Sequence, residues 1–120
     1  MTMKKSKITE YNQYSAFSGK PAECQHHCIW GSYHKLADED GLLIGLTNAE
    51  HNMSSKGTIN QIHGNPAAEH LSRMLGQAIW ERNYLIKQLE LPFEGEEEAF
   101  ERVSNECREA FRKRYHISFL

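Results

Sequence analysis

The chain has 120 residues, with 14 lysines and arginines against 16 acidic side chains, a formal net charge of −2, and 39% hydrophobic and 25% charged residues. This composition describes one soluble globular domain with a modest core, without the roughly 18-residue apolar run of a membrane span or the strong basic excess of a protein that coats nucleic acid. Three cysteines, Cys24, Cys28 and Cys107, make no disulfide framework and imply a reducing compartment with free or metal-bound thiols.

The N-terminus, Met1 to Lys7, is basic but has no apolar stretch behind it, so no secretory signal is expected. Residues 1–20 have little helical or strand pattern, and 1–14 are expected to be weakly ordered, before a loop that ends at Ser18-Gly19-Lys20-Pro21. Residues 22–46 hold two short apolar runs, Cys28-Ile29-Trp30 and Leu42 to Leu46, around the polar stretch Ser32 to Asp40, with Gly41 as a turn. Two short strands flanking an irregular loop fit that pattern, making this half β-rich. Asn48 is placed to cap a brief helix that carries His51 and stops before Gly57.

A long helix follows. Asn65 is a good cap, Pro66 suits the first helical position and Glu69 the first turn. Leu71, Met74, Leu75, Ala78, Ile79, Leu85, Ile86 and Leu89 then recur at three-and-four spacing until Leu91-Pro92 breaks the pattern. The last helix follows the acidic run Glu94 to Glu98, puts Phe100, Val103, Cys107, Ala110 and Phe111 on one stripe, and ends in Arg112-Lys113-Arg114, a polarity that suits the helix dipole.

The chemistry lies in a series of histidines: the adjacent pair His26-His27, then His51 and His63. Neutral imidazole is the commonest transition-metal ligand and the side chain that titrates nearest neutrality. His26, His51 and His63 come from three separate segments and can offer three nitrogen ligands, leaving positions open for water and substrate, as in a catalytic site. His27 would then stand beside the metal as a general base. Consecutive strand residues face opposite ways, so both members of the pair serve one site only where the strand bends or ends; Cys28 to Gly31 offers that bend. One metal, one imidazole base and no Ser or Cys nucleophile point to phosphodiester hydrolysis. His34, Lys35 and Lys56 are candidate phosphate contacts, together with Lys4, Lys5, Lys7 and Lys20. His70 and His116 read as structural or exposed, Cys24 and Cys28 as small hydrophobes, Trp30 and Trp80 as core anchors, and the Glu94–Glu98 run as a solvated helix start.

The stretch Cys24-Gln25-His26-His27-Cys28-Ile29-Trp30-Gly31, then His34 to Leu42, Leu46 to Gly57 and Ile62-His63, resembles the small HNH-type (ββα-metal) nucleases of phages and prophages, from about residue 15 to residue 75, with a fainter likeness over Phe111 to Leu120. The resemblance implies an α+β fold: a ββα-metal (HNH, or His-Me finger) core over 15–64, supported by two additional packed helices over 65–120, in a single domain spanning 1–120. It implies that His26 and His51 are ligands to one divalent ion (Mg²⁺, Mn²⁺ or Zn²⁺), that His27 is the catalytic base, and that His63 is a further ligand or a phosphate contact. DNA is the implied substrate and partner, host or phage recombination proteins are further candidates, no membrane is involved, and the setting is the cytoplasm of a bacterial host. Two features depart from the family pattern. Where relatives carry the cysteines of a structural zinc knuckle, this chain has Ser15, Ser18, Thr47 and Glu50, and the middle asparagine of the signature has no counterpart near Gly41-Leu42. The alternative reading is therefore a non-catalytic DNA-binding or recombination-accessory protein that keeps the fold.

Overall fold

The structure is a computed structural model that describes residues 3–53, 61–88 and 97–120, with the side chains of 97–100 outside the description. The element order is strand β1 (Cys24–His27), a 3₁₀ turn (Gly31–Tyr33), helix α1 (His34–Glu39), strand β2 (Leu43–Leu46), a π turn (Ala49–Met53), helix α2 (Pro66–Gln88) and helix α3 (Glu97–Tyr115). This is a small α+β arrangement.

β1 and β2 pair antiparallel, with Cys24 opposite Leu46 and His27 opposite Leu43. The connection between them is not the irregular loop that its polarity suggests. Ser32 to Asp40 lacks an apolar stripe, yet His34–Glu39 is helical because Ala37 is fully buried and Leu36 packs on the core from the same turn. The turn back into β2 is made by Gly41 at φ 68°, where a non-glycine residue would be strained and its Cβ would strike the Lys7 side chain. The fold is thus less β-rich than the apolar runs imply, with two strands of four residues each among the described residues.

Residues 3–14 form no helix or strand but are tied to β2 and its turn. The Lys7 N–H donates to Gly41 O at 2.8 Å and the Ser6 hydroxyl to Leu43 O at 2.6 Å. The core beneath the sheet gathers Cys28, Ile29, Leu42, Ile44, Leu46 and Ile62 with Phe111 and Tyr115 of α3, whose rings stack 4.4 Å apart. On the α3 stripe Cys107 and Phe111 are buried, and Val103 and Ala110 partly so; Phe100 lies among the side chains outside the description. His116 closes α3 in a left-handed conformation, φ 63°, donating its N–H to Arg112 O.

α2 begins where the sequence puts it. Asn65 Oδ1 accepts the Ala68 N–H and Pro66 is the first helical residue. The buried face is a correction to the periodic reading: Leu71 is 65% exposed, Leu75 40% and Ile86 48%, while Ser72, Gly76 and Gln77 are buried. A Cβ at Gly76 would come within 3.0–3.2 Å of Ile29 and Cys28, so the helix lies too close to the end of β1 for a larger residue. That close approach delivers Ser72 to the site, and Gln77 holds the C-terminal residues through Ser118. Leu89 lies outside the described residues. Among the described residues no helix is long and apolar enough to cross a membrane.

Candidate metal centre

Strand alternation separates the paired histidines. His26 turns inward and is 1% exposed, while His27, the last residue of β1, turns toward α1. His51 is presented by the π turn. That turn opens with a capping box, in which the Thr47 hydroxyl accepts the Glu50 N–H and Glu50 Oε1 accepts the Thr47 N–H at 2.9 Å. Thr47, not Asn48, is therefore the cap. His63 follows buried Ile62, and its N–H donates to His51 O at 3.0 Å, so the two short segments are locked side by side.

These three histidines converge. Each brings one ligating nitrogen to within 4.8 Å of the others, and the ring centroids stand 4.6–5.1 Å apart. The Nε2 atoms of His51 and His63 face one another at 3.0 Å. Nitrogens bound to one tetrahedral ion at about 2.0–2.1 Å stand roughly 3.3 Å apart, so the cluster is close to the spacing that a metal requires.

The hydrogen bonds fix which lone pairs are free. The Ser72 hydroxyl donates its single proton to Cys28 O at 2.9 Å, so it can only accept from His26 Nε2–H at 2.8 Å. His26 Nδ1 is then a bare lone pair, buried and without any hydrogen-bond partner. Leaving such an acceptor unpaired costs about 1–3 kcal/mol, a cost that a bound cation removes. Protonation does not offer an escape: burial, then the neighbouring His51 and His63, push the His26 pKa down to about 3. Burial followed by His63 and His27 also lowers that of His51. On the far side of His63, Nδ1 stands 3.7 Å from Glu69 Oε2, which favours the proton on Nδ1 and the lone pair on Nε2. The donor set thus fits a divalent metal: three imidazoles, one with an orphaned nitrogen.

His27 lies outside this trio. Its Nε2–H donates to Asp38 Oδ1 at 2.9 Å, and its ring lies 3.7 Å, centroid to centroid, from His34. Burial lowers its pKa, the Asp38 hydrogen bond raises it, and His34 lowers it; the balance is a lowered value, so the ring is neutral near pH 7 with Nδ1 as its basic nitrogen. Asp38 also takes Lys4 Nζ at 2.6 Å, and Lys4, followed by His27, keeps its carboxyl below the usual carboxylate range. Lys4 is therefore paired rather than presented to a phosphate. His34 and Lys35 are exposed on α1 beside His27, whereas Lys56 lies outside the described residues.

Several partners escaped the sequence reading. Ser72 of α2 orients His26 by a hydrogen bond, Glu69 of α2 lies 3.7 Å from His63, and Asp38 of α1 orients His27. Trp30, read as a core anchor, is partly buried and packs edge-on against His63, centroids 4.8 Å apart. The sequence signal for Glu69 and Ser72 was their three-residue spacing on one helix face directly after His63. Cys28 is buried in the core, its thiol pushed up to about 12, and Cys24 bonds weakly to Leu46 O, so these thiols behave as small hydrophobes apart from the histidine trio. His70 and His116 are exposed. No protein-family model, curated protein or solved structure matches the chain.

Proposed function

We propose that this chain is an HNH-type DNA endonuclease, hydrolysing a phosphodiester with one divalent metal and a histidine general base. The observation that carries the proposal is the convergence of His51 and His63 on His26, whose Nδ1 is buried and unpartnered, one residue from a neutral His27 that an aspartate orients. His26, His51 and His63 would hold the ion. An all-imidazole set suits zinc or another transition metal better than magnesium, which takes oxygen ligands. When bound, the ion supplies Lewis acidity toward phosphoryl oxygens and the leaving 3′-oxygen.

The rest is done by the chain's own residues. Asp38 keeps the His27 proton on Nε2 and so keeps Nδ1 basic. His27 Nδ1 takes a proton from water as its oxygen bonds to phosphorus; the bond from phosphorus to the 3′-oxygen breaks, and that oxygen takes a proton from solvent, leaving a 5′-phosphate and a 3′-hydroxyl. The imidazolium formed is stabilised by the Asp38 carboxylate, in the role of an orienting acid beside a base.

The full chain, incubated with single-stranded, duplex and branched DNA and with Mg²⁺, Mn²⁺ or Zn²⁺ in turn, tests this. His27→Ala should retain metal and DNA binding and lose about 10²–10⁴ in rate, whereas His26→Ala and His51→Ala should lose metal affinity too. Undiminished cleavage by His27→Ala refutes the assigned base. Wild-type protein that binds DNA and cuts none of the three forms would establish the accessory reading instead.

A further inference from the structure

The first turns of α2 face the histidine cluster with three side chains. Glu69 lies beside His63 and Ser72 accepts from His26, while Arg73 lays its guanidinium over Trp30, 4.2 Å from the ring centroid. Trp30 in turn packs on both His26 and His63. Arg73 is thus one aromatic ring removed from two of the three candidate ligands.

Its partners are unusual. Glu69 stands four residues before Arg73, the spacing at which a helix surface normally pairs Glu with Arg. Here Glu69 is turned instead to His63 Nδ1 and the Gly64 N–H, and Arg73 makes no hydrogen bond or ion pair with any described residue. A half-buried guanidinium whose face is fixed by stacking, while its edge donors have no acceptor among the described residues, is preorganised for an oxyanion, since the planar fork matches two oxygens of one phosphate.

We propose that Arg73 binds a backbone phosphate of the nucleic-acid strand at the mouth of the histidine cluster, its edge taking the non-bridging oxygens while Trp30 holds its face. This deepens the nuclease reading and rests on it for the strand that carries the phosphate.

Binding of a fluorescein-labelled duplex to the zinc-loaded full chain is followed by anisotropy across a potassium chloride series, in a His27→Ala background so that the strand stays whole. Arg73→Gln should weaken binding about 5–20-fold and lower the log–log salt slope by about 0.9, the increment for one duplex phosphate contact, with calorimetric zinc affinity unchanged. Arg73→Met, which keeps aliphatic bulk over Trp30 without the charge, is the second variant, read the same way should the glutamine protein fail to fold. Arg73→Lys should keep the slope and lose part of the affinity with the fork. If Arg73 merely braces Trp30, the variants melt lower and the slope does not move; that result overturns the inference. Wild-type cleavage together with an unmoved slope overturns it while leaving the nuclease reading standing. A lowered slope in a chain whose wild type cuts no DNA supports it and ends that reading. A chain that binds no DNA overturns both.

Discussion

Ser72→Ala isolates the tie between α2 and the metal centre. The hydroxyl it removes joins two buried groups, accepting from His26 Nε2–H at 2.8 Å and donating to Cys28 O at 2.9 Å. Each of the two orphaned partners costs about 1–3 kcal/mol, so metal-free Ser72→Ala should unfold in urea with roughly 2–6 kcal/mol less stability than wild type. The second consequence concerns the metal. Without Ser72 nothing fixes the His26 proton on Nε2 or holds the ring in its orientation beside His51 and His63. Loss of such an orienting bond typically weakens metal affinity about 10–100-fold, equivalent to about 1.4–2.7 kcal/mol. Zinc titration by calorimetry, on wild type and variant side by side, reads this directly. A variant that is less stable but binds zinc with wild-type affinity would show that Ser72 is only a packing contact and that Nδ1 is not the ligating nitrogen.

Three further outcomes follow from the same geometry. The His26 pKa falls from 6.5 unfolded to about 3 folded, so below pH 6.5 the unfolded chain binds the extra proton and stability drops as pH falls. At pH 4.5 the metal-free protein should have lost roughly 2–3 kcal/mol relative to pH 7 from His26 alone, a loss that urea titration should find absent in His26→Gln. Chelation by EDTA should leave the helical circular dichroism intact while abolishing activity, because the core of Ile29, Leu42, Leu46, Phe111 and Tyr115 is closed without a metal-held loop; collapse of the signal would place the metal among the folding determinants. Glu50→Ala should cost about 1–3 kcal/mol through the hydrogen bonds it removes, and should weaken zinc binding, because the π turn it caps carries His51.

Legibility in the sequence tracked distance along the chain. The Asn65-Pro66 start of α2 and the strand after Gly41 are local signals, and they were readable. So was the histidine series, because residue type alone announces ligand chemistry. The first strand was not placed, since it runs over Cys24–His27 and the apolar run Cys28-Ile29-Trp30 lies just beyond it. Nor was α1, since His34–Glu39 is polar on most faces and its helicity depends on Ala37 entering the core and on Asp40 meeting α3. The buried face of α2 was misjudged for a related reason. Hydropathy selects Leu71 and Leu75, but the contact is made through Gly76 for its small size and through Ser72 and Gln77 for hydrogen bonds. Orienting residues are the hardest to foresee. Ser72 lies 46 positions from His26, and the only local cue is its place three residues after Glu69 on the helix that follows His63.

The two departures from the HNH pattern fall at places where this chain has built other ties. Ser15, Ser18, Thr47 and Glu50, the positions at which the sequence departs from the zinc-knuckle cysteines of the HNH proteins it resembles, meet as one hydrogen-bonded group. The Ser15 hydroxyl donates to Glu50 Oε1 at 2.6 Å, and Ser15 Oγ accepts the N–H groups of Phe17 and Ser18. Burial pushes the Glu50 carboxyl up, but bonds from Ser15, Thr47 and Ser18 more than offset this and hold it ionised. The cluster joins the N-terminal loop to the His51 turn, as a metal knuckle would. The loop without the asparagine is secured from α3 instead. Arg114 Nε and Nη2 donate to the two Asp40 carboxylate oxygens at 2.7 Å, and the Tyr115 hydroxyl donates to Asp40 Oδ2 at 2.8 Å. A bidentate, partly buried pair of this kind restrains a backbone more firmly than an exposed one. Since Asp40 ends the helix that carries Asp38, the restraint passes to the carboxylate that orients His27. The C-terminal helix is therefore tied, through Asp40, to the helix that carries Asp38.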